Sequence, residues 1–325
     1  MNKTINKYEL KAPLQNHNAG FSRWTIASRA SHLFFLKEFL NPKYPDDHTL
    51  QEDLRMTRIR ECAQYEREKA RLYAAVNEAS DGNLVRIIEF FRENSHYYIT
   101  TRWVESMTMS FQDIARLDMK DKLLLCRTAA HSIAALHDKG IVHADIKDTN
   151  VLVHKTREGL LVTKIVDFDS SFFEGMSPED EEDLGGDQVY LSPEACLFFC
   201  GEEVRLTCKM DVFALGLLFH QFLTGELPYF DGSSYDYAHE AVLDDFVLRV
   251  DSPYIPIPVR TIIEHMLLKD AERRISARET YFLLTAFYNQ AFAVSPPLPC
   301  TLPKTEVISP APKKGSDFFR IAGDL

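Results

Sequence analysis

Short apolar runs typical of strands mark the first hundred residues of the chain. Such runs occupy residues 21–27 and 32–39, and two more, residues 84–91 and 97–104, flank a polar turn. Their aromatic and β-branched side chains favour a pleated surface, so the four segments predict β-strands. Residues 61–76 are instead rich in Glu, Arg, Lys, Ala and Leu, which favour a helix. The pattern therefore predicts a small sheet with one helix.

The pattern changes in the second part of the chain. Apolar residues recur at helical spacing over residues 123–137, and Gly140 follows as a helix stop. Residues 151–153 and 161–165 predict two short strands, and several helical segments then continue. Six prolines crowd residues 296–312, a composition typical of an extended tail. The second part is thus expected to be mainly helical, with a separate proline-rich end.

Charge and composition narrow the class of protein. A formal net charge of -11 over 325 residues gives no support for a general nucleic-acid binder, which would carry a basic surface. Six irregularly spaced cysteines favour reduced thiols over disulfides or a zinc site. The N-terminus lacks an apolar signal-peptide core, and no run reaches the roughly 18 apolar residues of a membrane helix. We therefore expect a soluble, cytoplasmic protein with neither nucleic-acid nor membrane partners.

The candidate chemistry lies in a polar loop between the helix at 123–137 and the next strand. The loop offers a carboxylate, an ammonium group and a carboxamide, at Asp145, Lys147 and Asn150, and a further carboxylate, Asp167, follows the strand at 161–165. Phosphoryl transfer needs a group that orients the attacking hydroxyl, a cation for the phosphate charge and oxygen ligands for magnesium. These residue types therefore predict a phosphotransferase.

Here the sequence resembles the eukaryotic-like protein kinases, especially serine/threonine kinases of the bacterial type. Residues 143–145 are similar to the HRD motif, with Asn150 at the asparagine position, and residues 167–169 are similar to the DFG motif. Further positions match the family in the same order: residues 190–194, which resemble the APE motif, Asp211 and Arg274. Small-molecule kinases of related fold generally lack this later set, so the resemblance favours a protein kinase.

The resemblance implies an α+β, two-lobed protein-kinase fold. Its small, β-rich N-lobe with one helix would occupy residues 1–105. The larger, mainly helical C-lobe would occupy residues 106–294, and residues 295–325 would form the proline-rich tail.

The resemblance also implies catalytic roles, with ATP and Mg2+ as cofactors. Asp145 would accept the proton of a Ser or Thr hydroxyl, and Lys147 would neutralise charge on the transferring phosphate. Asn150 and Asp167 would hold Mg2+. Lys37, at the end of a strand, would hold the α- and β-phosphates.

A helix glutamate would pair with Lys37 in this family. Glu68 matches the local family pattern best, although Glu66 and Glu61 compete for the role on composition alone. The backbone around Arg102 and Val104 resembles the hinge that hydrogen-bonds adenine. One further residue is expected beneath the adenine, Leu152.

Several positions depart from the family pattern. The loop over the phosphates keeps one glycine and is expected to bind through Asn18, Ala19 and Gly20. Phe35 stands where a small residue normally lies above the adenine. Ala144 replaces the arginine that receives an activation-loop phosphate, which suggests activity without that phosphorylation. Asp169 replaces the DFG glycine, and Asp187 replaces a threonine near the catalytic aspartate.

The sequence therefore predicts a protein kinase that transfers the ATP γ-phosphate to Ser or Thr hydroxyls of proteins. A pseudokinase that acts as a scaffold or binding module and a kinase-fold enzyme for small molecules are the alternatives. The acidic residues 179–183 indicate either a solvated loop or an attraction for basic protein substrates. The apolar end, residues 318–325, is either inert or a segment that docks on a partner or on the kinase itself.

Overall fold

The computed structural model describes residues 3–16, 22–45, 51–80, 82–178 and 184–293. Contacts group Met1–Phe292 into one compact unit and assign Ala293–Leu325 to a second. The predictions for residues 18–20, 179–183 and 295–325 lie outside the described residues. All elements below belong to the first unit.

An antiparallel six-stranded sheet forms the N-terminal part of this unit. Its strands are β1 (Thr4–Ile5), β2 (Tyr8–Leu10), β3 (Ser22–Arg29), β4 (His32–Phe39), β5 (Ile87–Glu93) and β6 (His96–Arg102). They follow one another in the order β1-β2-β3-β4-β6-β5. Because β4 pairs with both β3 and β6, Lys37 on β4 lies in the middle of the sheet.

The four predicted strands are confirmed, with shifted ends. β6 ends at Arg102 and not at residue 104, although the amide of Trp103 still donates to the carbonyl of Leu33 on β4 (3.1 Å). Val85 stays outside β5 because its amide donates to the carbonyl of Ile165 in the second part of the unit (2.9 Å). The strands β1 and β2 are new, since two and three residues are too short to produce a detectable period.

The predicted helix is confirmed as α1, Glu52–Ala79. It begins well before residue 61. Two acidic residues, Glu52 and Asp53, lie in its first turn, where their negative charge interacts favourably with the positive end of the helix dipole. Its buried residues form one stripe: Cys62, Leu72, Tyr73, Val76 and Ala79. This stripe fixes which side chains the helix turns toward the sheet.

The second part of the unit is mainly helical. Its helices are α2 (Phe111–Ala115), α3 (Met119–His137), α4 (Pro193–Phe199), α5 (Lys209–Thr224), α6 (Ala238–Leu243), α7 (Ile257–Met266) and α8 (Ala277–Ala291). Its strands are β7 (Ile141–Val142), β8 (Val151–Lys155), β9 (Leu161–Ile165) and β10 (Phe172–Phe173), which form the pairs β7–β10 and β8–β9. The predicted α+β architecture, a small sheet with one helix and a larger helical part, is confirmed.

The helix α5 is the centre of this helical part. Almost all of its residues are buried, in keeping with a sequence that is apolar on every side. The same helix carries Asp211, which is 1% exposed. A buried carboxylate requires hydrogen-bond partners, and those partners define the candidate site.

A buried ion pair fixes the helix α4 against the segment that precedes α8. Arg274 donates from its two terminal nitrogens to the two oxygens of Glu194, at 2.7 and 2.9 Å. The Arg274 side chain also donates to the carbonyl of Lys209 (2.9 Å), at the start of α5. Glu194 and Arg274, two of the positions that match the family in the sequence, are thus in direct contact.

Candidate active site

The loop after β7 is held by the buried carboxylate of Asp211. The amides of His143 and Ala144 donate to its two oxygens, at 2.7 and 2.9 Å. His137, at the end of α3, contacts the same carboxylate through Nε2 (2.9 Å). Ala144 has a φ of 67°, a left-handed conformation that costs free energy for any residue other than glycine. The Asp211 carboxylate therefore stabilises a strained turn that presents Asp145.

Asp145 has one occupied and one open oxygen. Its Oδ2 accepts from the Nζ of Lys147 and from the Nδ2 of Asn150, both at 2.8 Å. Its Oδ1 is buried and has no hydrogen-bond partner within the described chain. A buried oxygen without a partner is costly, so this position is suited to accept a hydrogen bond from a ligand.

Asn150 is oriented by the same loop. Its Nδ2 also donates to the backbone carbonyl of Asp145, at 2.8 Å. Because the amide nitrogen is used within the loop, the carbonyl oxygen is the group that Asn150 can offer to a metal. The structure thus brings together three of the predicted residues, Asp145, Lys147 and Asn150.

Lys37 meets the second predicted motif. Its Nζ donates to both oxygens of Asp167, each at 2.9 Å, and lies 2.5 Å from Oδ2 of Asp169. Burial alone would lower the pKa of Lys37, but the charges of Asp169 and Asp167 outweigh it and raise that pKa above its ordinary value. The lysine therefore stays charged in the cleft.

The two carboxylates of this motif titrate differently. Burial and the charge of Asp167 raise the pKa of Asp169 to about 6, although Lys37 opposes the shift. For Asp167, burial acts upward, but the charge and hydrogen bond of Lys37 dominate and lower the pKa. The Lys37 ammonium group therefore stabilises the two carboxylates unequally, and Asp167 is the one held in the ionised form.

The predicted pairing of Lys37 with Glu68 is not found. Glu68 is exposed and accepts a hydrogen bond from Gln64 (2.8 Å) one turn earlier on α1. Of the competing candidates, Glu61 is exposed and Glu66 accepts from the hydroxyl of Tyr97 (2.8 Å). None of the three glutamates reaches Lys37.

The buried stripe of α1 explains this difference. Lys69, seven residues after Cys62 and four before Tyr73, falls in the middle of that stripe. Glu68 falls at its edge, toward solvent. Lys69 donates from Nζ to the backbone carbonyl of Asp169, so the helix contributes a cation to the site. The spacing of buried residues along α1 was the signal that could have identified Lys69.

The segment after β6 lies where an adenine-binding hinge was expected. The strand register places Thr101 opposite Phe35, and the guanidinium of Arg102 packs over the ring of Phe34 at 4.8 Å. The carbonyl of Val104 accepts from the amide of Ser106 (2.9 Å). The described residues provide no hydrogen-bond partner for the amide of Val104, which leaves that donor to a ligand.

Of the other residues expected around the nucleotide, the structure describes Leu152 and Phe35. Leu152 is half-buried on β8, and the neighbouring Val153 carbonyl accepts from the amide of Met107 just past the hinge segment (2.8 Å). Phe35 is half-buried and stacks on Trp24 of β3, with ring centroids 5.4 Å apart. Asn18, Ala19 and Gly20 lie outside the described residues.

Asp187 lies beside the loop that carries Asp145. It lines the same small cleft as Asp145 and Ala144. Its Oδ1 accepts from the amide of Val189, at 3.0 Å, which turns the chain toward the 190–194 motif. The carboxylate thus has a local structural partner and also faces the cleft.

The residues around Asp145 and Asp167 fit magnesium. The described chain holds no cluster of three His, Cys, Asp or Glu side chains able to bind a metal alone. Magnesium, however, is usually held by one or two carboxylates together with substrate phosphates. Asp167 and the carbonyl oxygen of Asn150 supply that kind of donor set, and the open Oδ1 of Asp145 lies in the same loop.

The chain matches the Pkinase family, described as the protein kinase domain, over residues 55–282. That match covers more than half of its 325 residues, so the chain belongs to the protein kinase domain family.

Individual kinases show the same similarity. The chain is 27% identical over 216 residues to the serine/threonine-protein kinase PSK2 of Saccharomyces cerevisiae, a match that covers 65% of this chain and 18% of that protein. It is 28% identical over 247 residues to pkn2 of Myxococcus xanthus, covering 71% of this chain and 28% of that kinase. It is 30% identical over 205 residues to PrkC of Bacillus subtilis, covering 61% and 30%. The matched region is thus less than a third of each of these relatives.

A transmembrane helix was not expected from the sequence. Among the helices of the described ranges, none combines the length and the apolar character needed to cross a membrane.

Proposed function

We propose that this chain is a protein kinase that transfers the γ-phosphate of ATP to Ser or Thr hydroxyls of proteins. The observation that carries this proposal is the open, buried Oδ1 of Asp145, beside a carboxylate oxygen already held by Lys147 and Asn150. That arrangement suits a group that orients a hydroxyl and accepts its proton.

Each residue of the candidate site has a defined task in this proposal. Lys147 orients Asp145 and balances negative charge on the transferring group. Lys37 binds phosphate oxygens, and Asp167 with Asn150 holds Mg2+. Together, ATP and Mg2+ supply the phosphoryl group and neutralise its charge. Asp211 keeps the loop in its strained conformation through two backbone amides.

The distinction between protein and small-molecule kinases rests on the helical part. The Glu194–Arg274 ion pair and the hydrogen bonds of Asp211 match the positions that the resemblance assigned to protein kinases. The relatives' printed names describe serine/threonine-protein kinases, and Lys147, two residues after Asp145, agrees with that class. These observations support a Ser/Thr substrate.

A scaffold without activity is the second candidate. It is favoured by the Phe35–Trp24 stack, which occupies space near the expected adenine site, and by Asp187 in the cleft. The ion pairs of Asp145 with Lys147 and of Lys37 with Asp167 argue for catalysis, since a site that had lost its function would not need to hold these charges together.

The deciding experiment is phosphate transfer from labelled ATP with Mg2+. Wild type and Asp145→Asn are compared on a basic protein and in autophosphorylation. Loss of the proton acceptor is expected to reduce transfer by about 10²–10⁴-fold, while the thermal unfolding midpoint remains that of wild type. Full turnover by Asp145→Asn would refute the assignment. Absence of transfer in both proteins, together with no thermal shift on adding ATP, would favour the scaffold.

We extend the proposal to substrates, location and organisation. The acidic residues 179–183 and Asp187 beside Asp145 favour basic protein substrates, which opposite charge would attract. The five described cysteines are free thiols, in keeping with a reducing compartment such as the cytoplasm. The lobes would divide near residue 105. The apolar end of the tail, residues 318–325, would be a docking segment for a partner.

A further inference from the structure

The carboxylate that holds Lys37 does not come from α1. The Nζ of Lys37 is surrounded by three carboxylate oxygens, two from Asp167 at 2.9 Å and one from Asp169 at 2.5 Å. Lys37 is 7% exposed, so its ammonium group needs nearby negative charge to remain in the cleft. The helix glutamate that normally supplies this charge, Glu68, is bound to Gln64 instead.

Asp169 connects Lys37 to α1 by another route. Its side chain meets Lys37, while its backbone carbonyl accepts from the Nζ of Lys69 in the middle of α1. The helix and the lysine of the sheet are therefore joined through one residue, with the charges reversed. The helix provides the cation and the loop provides the carboxylate.

The two carboxylates around Lys37 have different assignments. The proposed function gives the oxygens of Asp167 to Mg2+, and a carboxylate that binds a metal is less available to an ammonium group. The proposed function assigns neither Mg2+ nor phosphate to Asp169, whose position is a glycine in the family motif. It is the carboxylate left to orient Lys37 when nucleotide is bound.

We propose that Asp169 is the positioning residue of the ATP site, where it takes the place of the helix glutamate, and that Lys69 couples it to α1. This inference rests on the proposed function, because it assumes that Lys37 binds phosphate. Asp169, a residue outside the family pattern, would then hold the phosphate-binding Lys37.

A double-mutant cycle tests this assignment. The dissociation constant of a non-hydrolysable ATP analogue with Mg2+ is measured by calorimetry for wild type, Asp169→Asn, Lys37→Met and the double variant. A hydrogen bond between charged groups contributes about 1.5–3 kcal/mol, so Asp169→Asn is expected to weaken binding by about tenfold or more. In the Lys37→Met background the same change is expected to have no further effect, because Asp169 acts through Lys37.

The matched comparisons are Glu68→Gln and Lys69→Met. Glu68→Gln removes a carboxylate from the edge of α1 and is expected to bind the analogue within about twofold of wild type. Lys69→Met is expected to weaken binding in the same direction as Asp169→Asn, and it decides the question should Asp169→Asn fail to fold. Thermal unfolding of each variant reports on folding.

The outcomes separate the inference from the proposed function. An equal loss of binding on Asp169→Asn with and without Lys37 would mean a merely structural role and would overturn the inference. A large loss of analogue binding in Glu68→Gln alone would show that Lys37 depends on the helix glutamate, as in the family pattern, and would also overturn the inference. Wild type that binds the analogue but phosphorylates no protein would refute the proposed function, while the binding cycle would still decide the role of Asp169.

Discussion

At the residue scale, the proposed function gives the side chain of Lys147 two tasks. It lies 2.8 Å from Oδ2 of Asp145, so it helps to fix the direction in which the open Oδ1 of that carboxylate points. In the proposed function it also neutralises negative charge on the transferring phosphate. A single substitution therefore affects both orientation and charge, and the loss should appear in the chemical step.

Lys147→Met is expected to lower kcat by about 10²–10³-fold, the usual effect of losing one positioned group that stabilises transition-state charge. The binding of the ATP analogue should change little, because Lys37 and not Lys147 meets the Asp167 motif. The matched control is Lys139→Met, which removes a lysine whose ion pair with Glu78 is exposed. Equal kcat values for Lys147→Met and wild type would contradict the assigned role.

The sequence predicted the members of the site better than their partners. Asp145, Lys147 and Asn150 meet as expected because a single short loop carries all three, so local spacing determines their proximity. The partner of Lys37 depends on the rotation of α1, which is set by the buried stripe on that helix and not by the residues around Glu68. Motif matching cannot detect such a rotation, whereas the burial period of the helix can.

At the element scale, α5 organises the helical part from within. The carboxylate of Asp211 on α5 holds the loop that carries Asp145, and the carbonyl of Lys209, the first residue of α5, accepts a hydrogen bond from Arg274. The long, apolar helices and strands of this part were predictable from periodicity. The pairs β7–β10 and β1–β2 were not, because runs of two or three residues acquire their structure from tertiary contacts.

Glu194→Gln is expected to reduce the free energy of unfolding by about 3–5 kcal/mol, because it leaves the buried charge of Arg274 without its partner. The matched control is Asp138→Asn, which breaks the exposed pair with Arg278 and should cost no more than about 1 kcal/mol. Denaturant unfolding of both variants measures the difference. Equal losses would show that burial of the Glu194–Arg274 pair contributes nothing.

His220 on α5 is expected to make stability depend on pH. Burial lowers its pKa below the ordinary 6.5, despite the carbonyl of Glu226, which lies 2.7 Å from Nδ1 and favours the charged form. The unfolded chain then binds the proton more readily. Stability is therefore highest above pH 6.5 and falls as the pH drops from that value toward the folded pKa, by at most about 1.4 kcal/mol per pH unit.

The variant His220→Gln should flatten this dependence. Denaturant midpoints are compared between about pH 7.5 and pH 5.5, the interval over which a histidine titrates. Part of the slope should remain, since burial also lowers the pKa of His239. His32→Gln is the matched control, because folding leaves that imidazole exposed to water. An unchanged slope in His220→Gln would show that its burial does not drive acid destabilisation.

At the scale of the whole molecule, two kinds of contact join the sheet to the helical part. The strand β4 brings Lys37 and the loop after β9 brings Asp167 and Asp169, so an ion cluster joins the sheet to the helical part. The amide of Val85 adds a backbone bond to Ile165 at the same boundary. The alternation of strands and helices predicted the two parts, but it could not predict these contacts, because they join residues far apart in the chain.

The compact unit ends with its last helix, so we expect the tail to be dispensable for folding and basal activity. α8 ends at Ala291, and the amide of Phe292 caps it by donating to the carbonyl of Tyr288 (3.0 Å). The core and the candidate site therefore lie within Met1–Phe292. Removal of residues 295–325 is expected to leave both basal phosphate transfer and the unfolding midpoint at wild-type values. A lower midpoint or rate in the shortened chain would instead show that the tail docks on the kinase, and a synthetic peptide of residues 313–325 should then restore the lost activity.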